Sequence, residues 1–227
     1  MYWQDAQDDS RYVVPDDVVD IVYAISCRAL PVDHAWALSQ AVTAALPWLA
    51  EDARAGVHTI HVADSGNGWM RPDAPDDLLY LSRRTKLMLR VARECIDDAQ
   101  RLTGRSLDVA GNRIEVGKGS VRPLTDITTI FARYVVTDGD KDESAFLAHT
   151  VAELRAMDVH PKKMLCGIER LIATPGGKIH TRSLMLADLR VEESVRLQQQ
   201  GLGPRRNLGC GLFLPHKGIR EVQEALV

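Results

Sequence analysis

Gly201-Leu202-Gly203-Pro204-Arg205-Arg206-Asn207-Leu208-Gly209-Cys210-Gly211 leads from a helical run, Val191–Gln200, into a short apolar segment, Cys210–Leu214. Two glycine pairs, each split by one apolar residue, bracket an insert that carries Arg205 and Arg206. Glycine accepts positive φ and lets a backbone come close to another molecule. Arginine presents a planar, permanently charged fork that matches phosphate geometry. A helix before and a strand after is the reverse of a P-loop or a Rossmann turn, both of which run from strand to helix. The stretch therefore reads as a cationic, backbone-exposing turn between the last helix and the last strand of an α+β unit.

Working back from it, Met164–Ala173 and Ile179–Ala187 flank Thr174-Pro175-Gly176-Gly177 as a hairpin. Asp142–Met157 reads as an amphipathic helix with Phe146, Leu147, Val151 and Leu154 inward, and Ile127–Val136 as a strand. The order is β-α-β-β-α-β, the ferredoxin-like pattern. Gly117–Pro123 reads as a linker, and the same order precedes it. Val18–Cys27 is a β-branched strand. Asp33 is the expected N-cap of a helix running to Leu49. Gly56–Ala63 and Leu78–Val91 read as strands, Glu94–Thr103 as a short helix, and Leu107–Val109 with Arg113–Val116 as a hairpin. The expected fold is α+β, two tandem ferredoxin-like (RRM-like) domains over 13–120 and 121–227, behind a loose acidic N-terminus, 1–12.

With 227 residues, 45% apolar and 26% charged, the composition is that of an ordinary globular protein. No apolar run approaches the roughly 20 residues of a membrane span. Cys27, Cys95, Cys166 and Cys210 form no Cys-x-x-Cys pair. They read as reduced thiols of a cytoplasmic protein, with no metal site and no cofactor expected. His58 and His61 would point to opposite faces of a strand and so would not share an ion. The net charge of -3 argues against indiscriminate polyanion binding, but the charges are segregated. Six aspartates crowd residues 1–20, whereas Leu78–Arg93 and Ser194–Arg220 hold five cations each and no carboxylate. His160–Arg182 holds Lys162, Lys163, Arg170, Lys178 and Arg182 against Glu169. Within Leu78–Val91, Leu81, Leu87, Leu89 and Val91 share one face, and Arg84, Lys86 and Arg90 the other.

The glycine stretch is similar to the C-terminal glycine-rich motif of the repeat-associated RNA-processing proteins of CRISPR–Cas systems. Together with Leu30-Pro31-Val32-Asp33-His34-Ala35, Ser82-Arg83-Arg84-Thr85-Lys86, Met164-Leu165-Cys166-Gly167 and Phe213-Leu214-Pro215-His216-Lys217-Gly218, it resembles the CRISPR-precursor endoribonuclease (Cas six) family, in particular its myxobacterial-type branch. The resemblance covers nearly the whole chain beyond the acidic terminus. It implies two ferredoxin-like folds and metal-independent cleavage of CRISPR repeat RNA. It also implies retention of the product as a subunit of an effector complex. Such cleavage deprotonates the ribose 2′-hydroxyl, which attacks the adjacent phosphate and leaves a 2′,3′-cyclic phosphate and a 5′-hydroxyl.

The resemblance assigns the proton transfer to His34. From position alone, His34 reads as an exposed first-turn residue or as one that caps something; the family places its catalytic histidine at or near this helix. There the helix dipole disfavours the imidazolium and suits a neutral base. Tyr23 resembles a tyrosine that some members place before the histidine, although its spacing to His34 is not diagnostic and its position favours a packed core tyrosine. Ser39 and Lys163 are further possible helpers. The expected RNA contacts are Arg83, Arg84, Lys86, Arg90, Lys162, Lys163, Arg205, Arg206 and Lys217, with the loop backbone at Gly201, Gly203, Gly209 and Gly211. An aromatic content of 5% favours a stem-loop over stacked single strand. A non-cleaving RNA-binding subunit of an effector or transposon-linked complex is the alternative, and it does not require His34.

Overall fold

A computed structural model describes residues 12–62, 74, 77–137 and 142–216. The strands are β1 (Val18–Ser26), β2 (Ala29–Pro31), β3 (Gly56–Val57), β4 (Leu78–Tyr80), β5 (Lys86–Ala92), β6 (Ser106–Val109), β7 (Asn112–Pro123), β8 (Ile130–Val136), β9 (Lys163–Thr174), β10 (Gly177–Ala187) and β11 (Phe213–Pro215). The helices are α1 (Ala35–Ala45), α2 (Ile96–Gln100), α3 (Glu143–Ala156) and α4 (Val191–Gln200). The first sheet has the order β3-β5-β1-β7-β6 and the second β11-β8-β10-β9. Both are antiparallel, with the first strand of each βαββαβ unit at the centre. These are two tandem ferredoxin-like units, the first extended by β6. The short ribbon β2-β4 stands apart from both sheets.

Each sheet buries alternate residues under its helices. Val19, Ile21 and Tyr23 of β1 and Leu87, Leu89 and Val91 of β5 enter one core with Leu38 and Val42 of α1. Ile130, Ala132, Leu184 and Leu186 form the other with Phe146, Leu154 and Leu197. Period-2 alternation placed Leu87, Leu89 and Val91 on this inner face. Several sequence-based boundaries move. Of the described part of Gly56–Ala63 only Gly56–Val57 is a strand: the His58 N–H still bonds the Met88 carbonyl, but the Ile60 N–H goes to the His34 ring. Leu78–Val91 is two strands, broken by a Ser82–Thr85 turn that the Ser82 carbonyl and hydroxyl close. Gly117–Pro123 is no linker: it pairs along β1 as far as Val19↔Pro123, so a boundary after residue 120 falls within β7. The connection runs from Leu124 to Thr129 and is tied to α4, where the Gln198 side chain bonds both backbone groups of Thr125.

The helix-free face of the first sheet turns towards the second unit. On it, Asp20 lies opposite Arg90 on one side and Arg122 on the other. Arg90 is fully buried. Its Nε and one terminal nitrogen donate to the two Asp20 oxygens at 2.9 and 3.0 Å. Its other terminal nitrogen donates to the Gln198 and Phe213 carbonyls, both at 2.8 Å. Parity put Arg90 on the right face, but that face is closed by α4 and β11, so Arg90 joins the two units and is no RNA contact. Burial alone would raise the Asp20 carboxyl, yet Arg90 and His58 hold it well below the usual carboxylate range. Burial pushes the His58 imidazole down to about 4, and Arg90 and Arg122 add to this. Its Nε2 lies 3.6 Å from Asp20, too far for a hydrogen bond.

Two predictions follow from this network. Arg90→Met should cost about 3–5 kcal/mol in urea unfolding by leaving the buried Asp20 with only Arg122 as its arginine partner, and Asp20→Val combined with it should recover part of the loss. The acid dependence has a definite sign. His58 has a lower pKa folded than unfolded, so its contribution is complete above about pH 6.5 and is lost as pH falls towards 4. Asp20 acts in the same sense at lower pH. The unfolding free energy should therefore drop between pH 6.5 and 4 by an amount on the order of 1–3 kcal/mol, and His58→Asn should flatten that segment of the profile.

Candidate nucleic-acid interface

Between the two units lies a cleft of about 340 Å³. Its cations are Arg84 and Lys86 from the turn and start of β5, Arg122 from the end of β7, and Arg133 from β8. His58 and His61 line it as well. Among the described residues no carboxylate does. A concave, carboxylate-free surface with four guanidinium or ammonium groups concentrates a polyanion, as a phosphate backbone requires. Arg83, Arg84 and Lys86 are exposed, as expected. Arg122 and Arg133 were missed because sequence placed the first in a linker and gave no partner for the second. The two histidines reach one cleft because β3 ends before His58, so the opposite-faces argument does not apply to them. Among the described residues no three His, Cys, Asp or Glu side chains form a metal-binding group. No helix among those residues is long and apolar enough to cross a membrane.

A second groove, about 320 Å³, runs between the start of α1 and β8-β9. Asp33, His34, Tyr134 and Arg170 line it, and Thr59 lines both hollows, so groove and cleft adjoin. His34, not Asp33, is the N-cap residue of α1. The Asp33 carboxylate reaches across to accept the Ala173 N–H at 2.7 Å, and burial raises its pKa. His34 is only 2% exposed, contrary to the surface position that sequence suggested. Its Nδ1 sits 2.8 Å from the Pro31 carbonyl, which can only accept, so Nδ1 carries the proton. Its Nε2 accepts the Ile60 N–H at 3.0 Å. This is a neutral imidazole of fixed tautomer, with its basic nitrogen turned to a backbone amide.

Tyr23 belongs to the core. It is fully buried, and its hydroxyl donates to the Ala99 carbonyl at 2.7 Å, away from His34's partners. Spacing to His34 in the chain says nothing about this, because β1 is central and alternation turns Tyr23 under the helices.

The glycine stretch folds on itself, and its amides at Gly201, Leu202, Leu208, Gly209, Cys210 and Gly211 are taken by the protein's own carbonyls. Leu202 N–H bonds to Gly211, Gly209 N–H to Arg206, Cys210 N–H to Arg205, and Gly211 N–H to Tyr134. Gly211 has φ +66, and a Cβ there would lie 2.0 Å from the Leu202 carbonyl oxygen. Gly209 has φ +83 and is pressed against Thr59 of the first unit. Gly201 is buried, and only Gly203 of the four is exposed. Close packing, not phosphate approach, requires glycine here. Arg206 is buried too, donating to the Arg54 carbonyl at 2.7 Å and the Gln199 carbonyl at 3.0 Å. It ties the loop to both units and is not a phosphate contact. Arg205 is exposed, in a left-handed conformation, but it lines a separate hollow with Asp52 and Asn207. Lys162 and Lys163 are exposed at the start of β9, with Lys163 2.9 Å from Asp188. Lys217 lies outside the described residues.

The likeness to known proteins agrees with this architecture. The family model described as Cas6 Crispr matches residues 19–218. The CRISPR-associated endonuclease Cas6 of Myxococcus xanthus (strain DK1622) is 33% identical over 205 residues, covering 90% of this chain and 84% of that protein. A solved structure reported under "Characterization of a Cas6-related gene from Pyrococcus furiosus" is 16% identical with a TM-score of 0.62, covering 88% of this chain and 99% of the other. Another, a CRISPR associated protein Cas6, is 11% identical with a TM-score of 0.60, covering 88% and 100%. Those two structures share the fold; the match along the sequence carries the kinship. The chain belongs to the Cas6 family.

Proposed function

We propose that the chain is a metal-independent endoribonuclease that cuts the repeats of CRISPR precursor RNA, with the basic cleft holding the RNA and His34 moving protons. The observation that carries this reading is that a carboxylate-free cationic cleft adjoins, through Thr59, the groove that holds His34. The Myxococcus relative, named a CRISPR-associated endonuclease, supports a cleaving role. Arg84, Lys86 and Arg122 hold phosphates and set the register, as backbone contacts do. The Pro31 carbonyl fixes the tautomer and leaves Nε2 as the basic nitrogen. The start of α1 disfavours the imidazolium, which keeps the ring neutral before the reaction. To act, Nε2 exchanges the Ile60 amide for the ribose 2′-hydroxyl and takes its proton; the oxygen attacks the adjoining phosphate, the phosphorus–O5′ bond breaks, and the leaving 5′-oxygen takes up a proton to become the 5′-hydroxyl. The product carries a 2′,3′-cyclic phosphate and stays bound, as part of an effector complex.

One observation favours a second reading. Both ring nitrogens of His34 face backbone groups and the ring is buried, which suits a structural residue in a non-cleaving RNA-binding subunit.

Repeat RNA incubated with the protein in EDTA separates the two. Cleavage is expected, with a cyclic phosphate on the 5′ fragment, and His34→Ala should slow it by about 10²–10⁴-fold at unchanged RNA affinity. Binding without a cut makes the chain the non-cleaving subunit; undiminished cutting by a folded His34→Ala removes the histidine from the mechanism. The melting temperature of that variant is measured alongside, since His34 also bonds Pro31 and Ile60.

The cations sort by a second measurement. Arg84→Ala with Lys86→Ala should weaken binding and reduce the log–log salt slope by roughly two. Arg206→Met should instead lower the melting temperature and leave the slope alone, and a slope change without a stability change would place Arg206 on the RNA after all.

A further inference from the structure

The helix-free face of the second sheet carries a row of side chains that neither His34 nor the cations account for. Leu214 of β11 lies opposite Phe131 of β8, Phe131 opposite Met185 of β10, and Met185 opposite Leu165 of β9. One apolar line thus crosses all four strands. Their sequence neighbours Ala132, Leu184, Leu186 and Phe213 are fully buried, so the line points to the other face. Leu165 is 64% exposed. Phe131, Met185 and Leu214 are half-buried. A contiguous apolar row left at the surface marks a contact site.

Its surroundings say what kind. The Arg133 guanidinium lies 5.8 Å from the centroid of the Phe131 ring, and the His216 ring 6.1 Å from it on a tilted plane. Arg133 and Leu214 also line the basic cleft, so the row begins at the cleft wall. An unpaired nucleotide has both properties that such a surface matches: an apolar planar base, and a phosphate for the cations beside it. An apolar protein segment would match the row but gain nothing from the neighbouring guanidinium groups. Four strands at roughly 4.8 Å spacing span about 14 Å, room for two or three bases.

We propose that Phe131, Met185 and Leu165 form a stacking platform for unpaired nucleobases of RNA that leaves the cleft. This rests on the RNA-binding reading above and refines it. The low aromatic content favoured a stem-loop over an extended strand; one phenylalanine in register with apolar neighbours adds a single-strand subsite.

Two fluorescein-labelled probes test it, a single-stranded RNA of about 12 nucleotides, within the site sizes such surfaces cover, and a blunt duplex of the same length. Phe131→Leu keeps an apolar side chain on the strand and removes the ring; Leu165→Ser changes an exposed position. Each should weaken single-strand binding, Phe131→Leu by about tenfold, without altering the salt slope and without weakening duplex binding. Phe131→Trp should restore affinity and show quenched indole fluorescence on binding. Equal affinity of wild type and Phe131→Leu for the single strand overturns the platform, as does a shift in self-association or protein binding in Leu165→Ser at constant RNA affinity. If the wild-type protein binds neither probe, it is the RNA reading itself that fails, which is a distinguishable result.

Discussion

The Arg90 guanidinium bonds in two directions, to both oxygens of Asp20 within its own sheet and to the Gln198 and Phe213 carbonyls of the second unit. Its burial is tolerable because the carboxylate and two carbonyls satisfy it together; any one alone would leave a charged group short of partners. Those two carbonyls mark the end of α4 and the start of β11, so the contact fixes the segment between them, which is the glycine stretch. The angle between the sheets, and hence the cleft, depends on this one buried side chain.

The glycine stretch completes the same junction. Arg206 ties it to Arg54 of the first unit, and Gly209 packs on Thr59. Thr59 is in turn the residue shared by the cationic cleft and the His34 groove. The stretch thus shapes the wall of the site. Glycine is required at Gly211 because the backbone folds back onto Leu202 closely enough to exclude a Cβ.

Site polarity follows from which groups the junction consumes. Asp20, which pairs with the cleft residue Arg122 and with Arg90, is neutralised by them. Arg84, Lys86 and Arg133 then present positive charge on a chain whose net charge is -3. Local segregation outweighs the total because screening limits each charge to about 8–10 Å.

Alternation within strands and restart of the βαββαβ order were legible in the sequence, since both depend on local periodicity and turn chemistry. So were the exposed cations of the Ser82–Thr85 turn, and the glycine stretch as a singular element. Sequence also put Arg90 beside Lys86 on one face, correctly. What covers that face is decided by packing between units more than 100 residues apart, so Arg90 and Arg206 read as surface cations and proved to be interior ones. The same holds for Tyr23 and His34. Their distances along the chain carry no information on whether a neighbouring strand or helix buries them. Arg122 and Arg133 enter the cleft only because two sheets meet at a fixed angle. Residue type and spacing determined the two units; the buried contacts between them decided which charges remain available to a ligand.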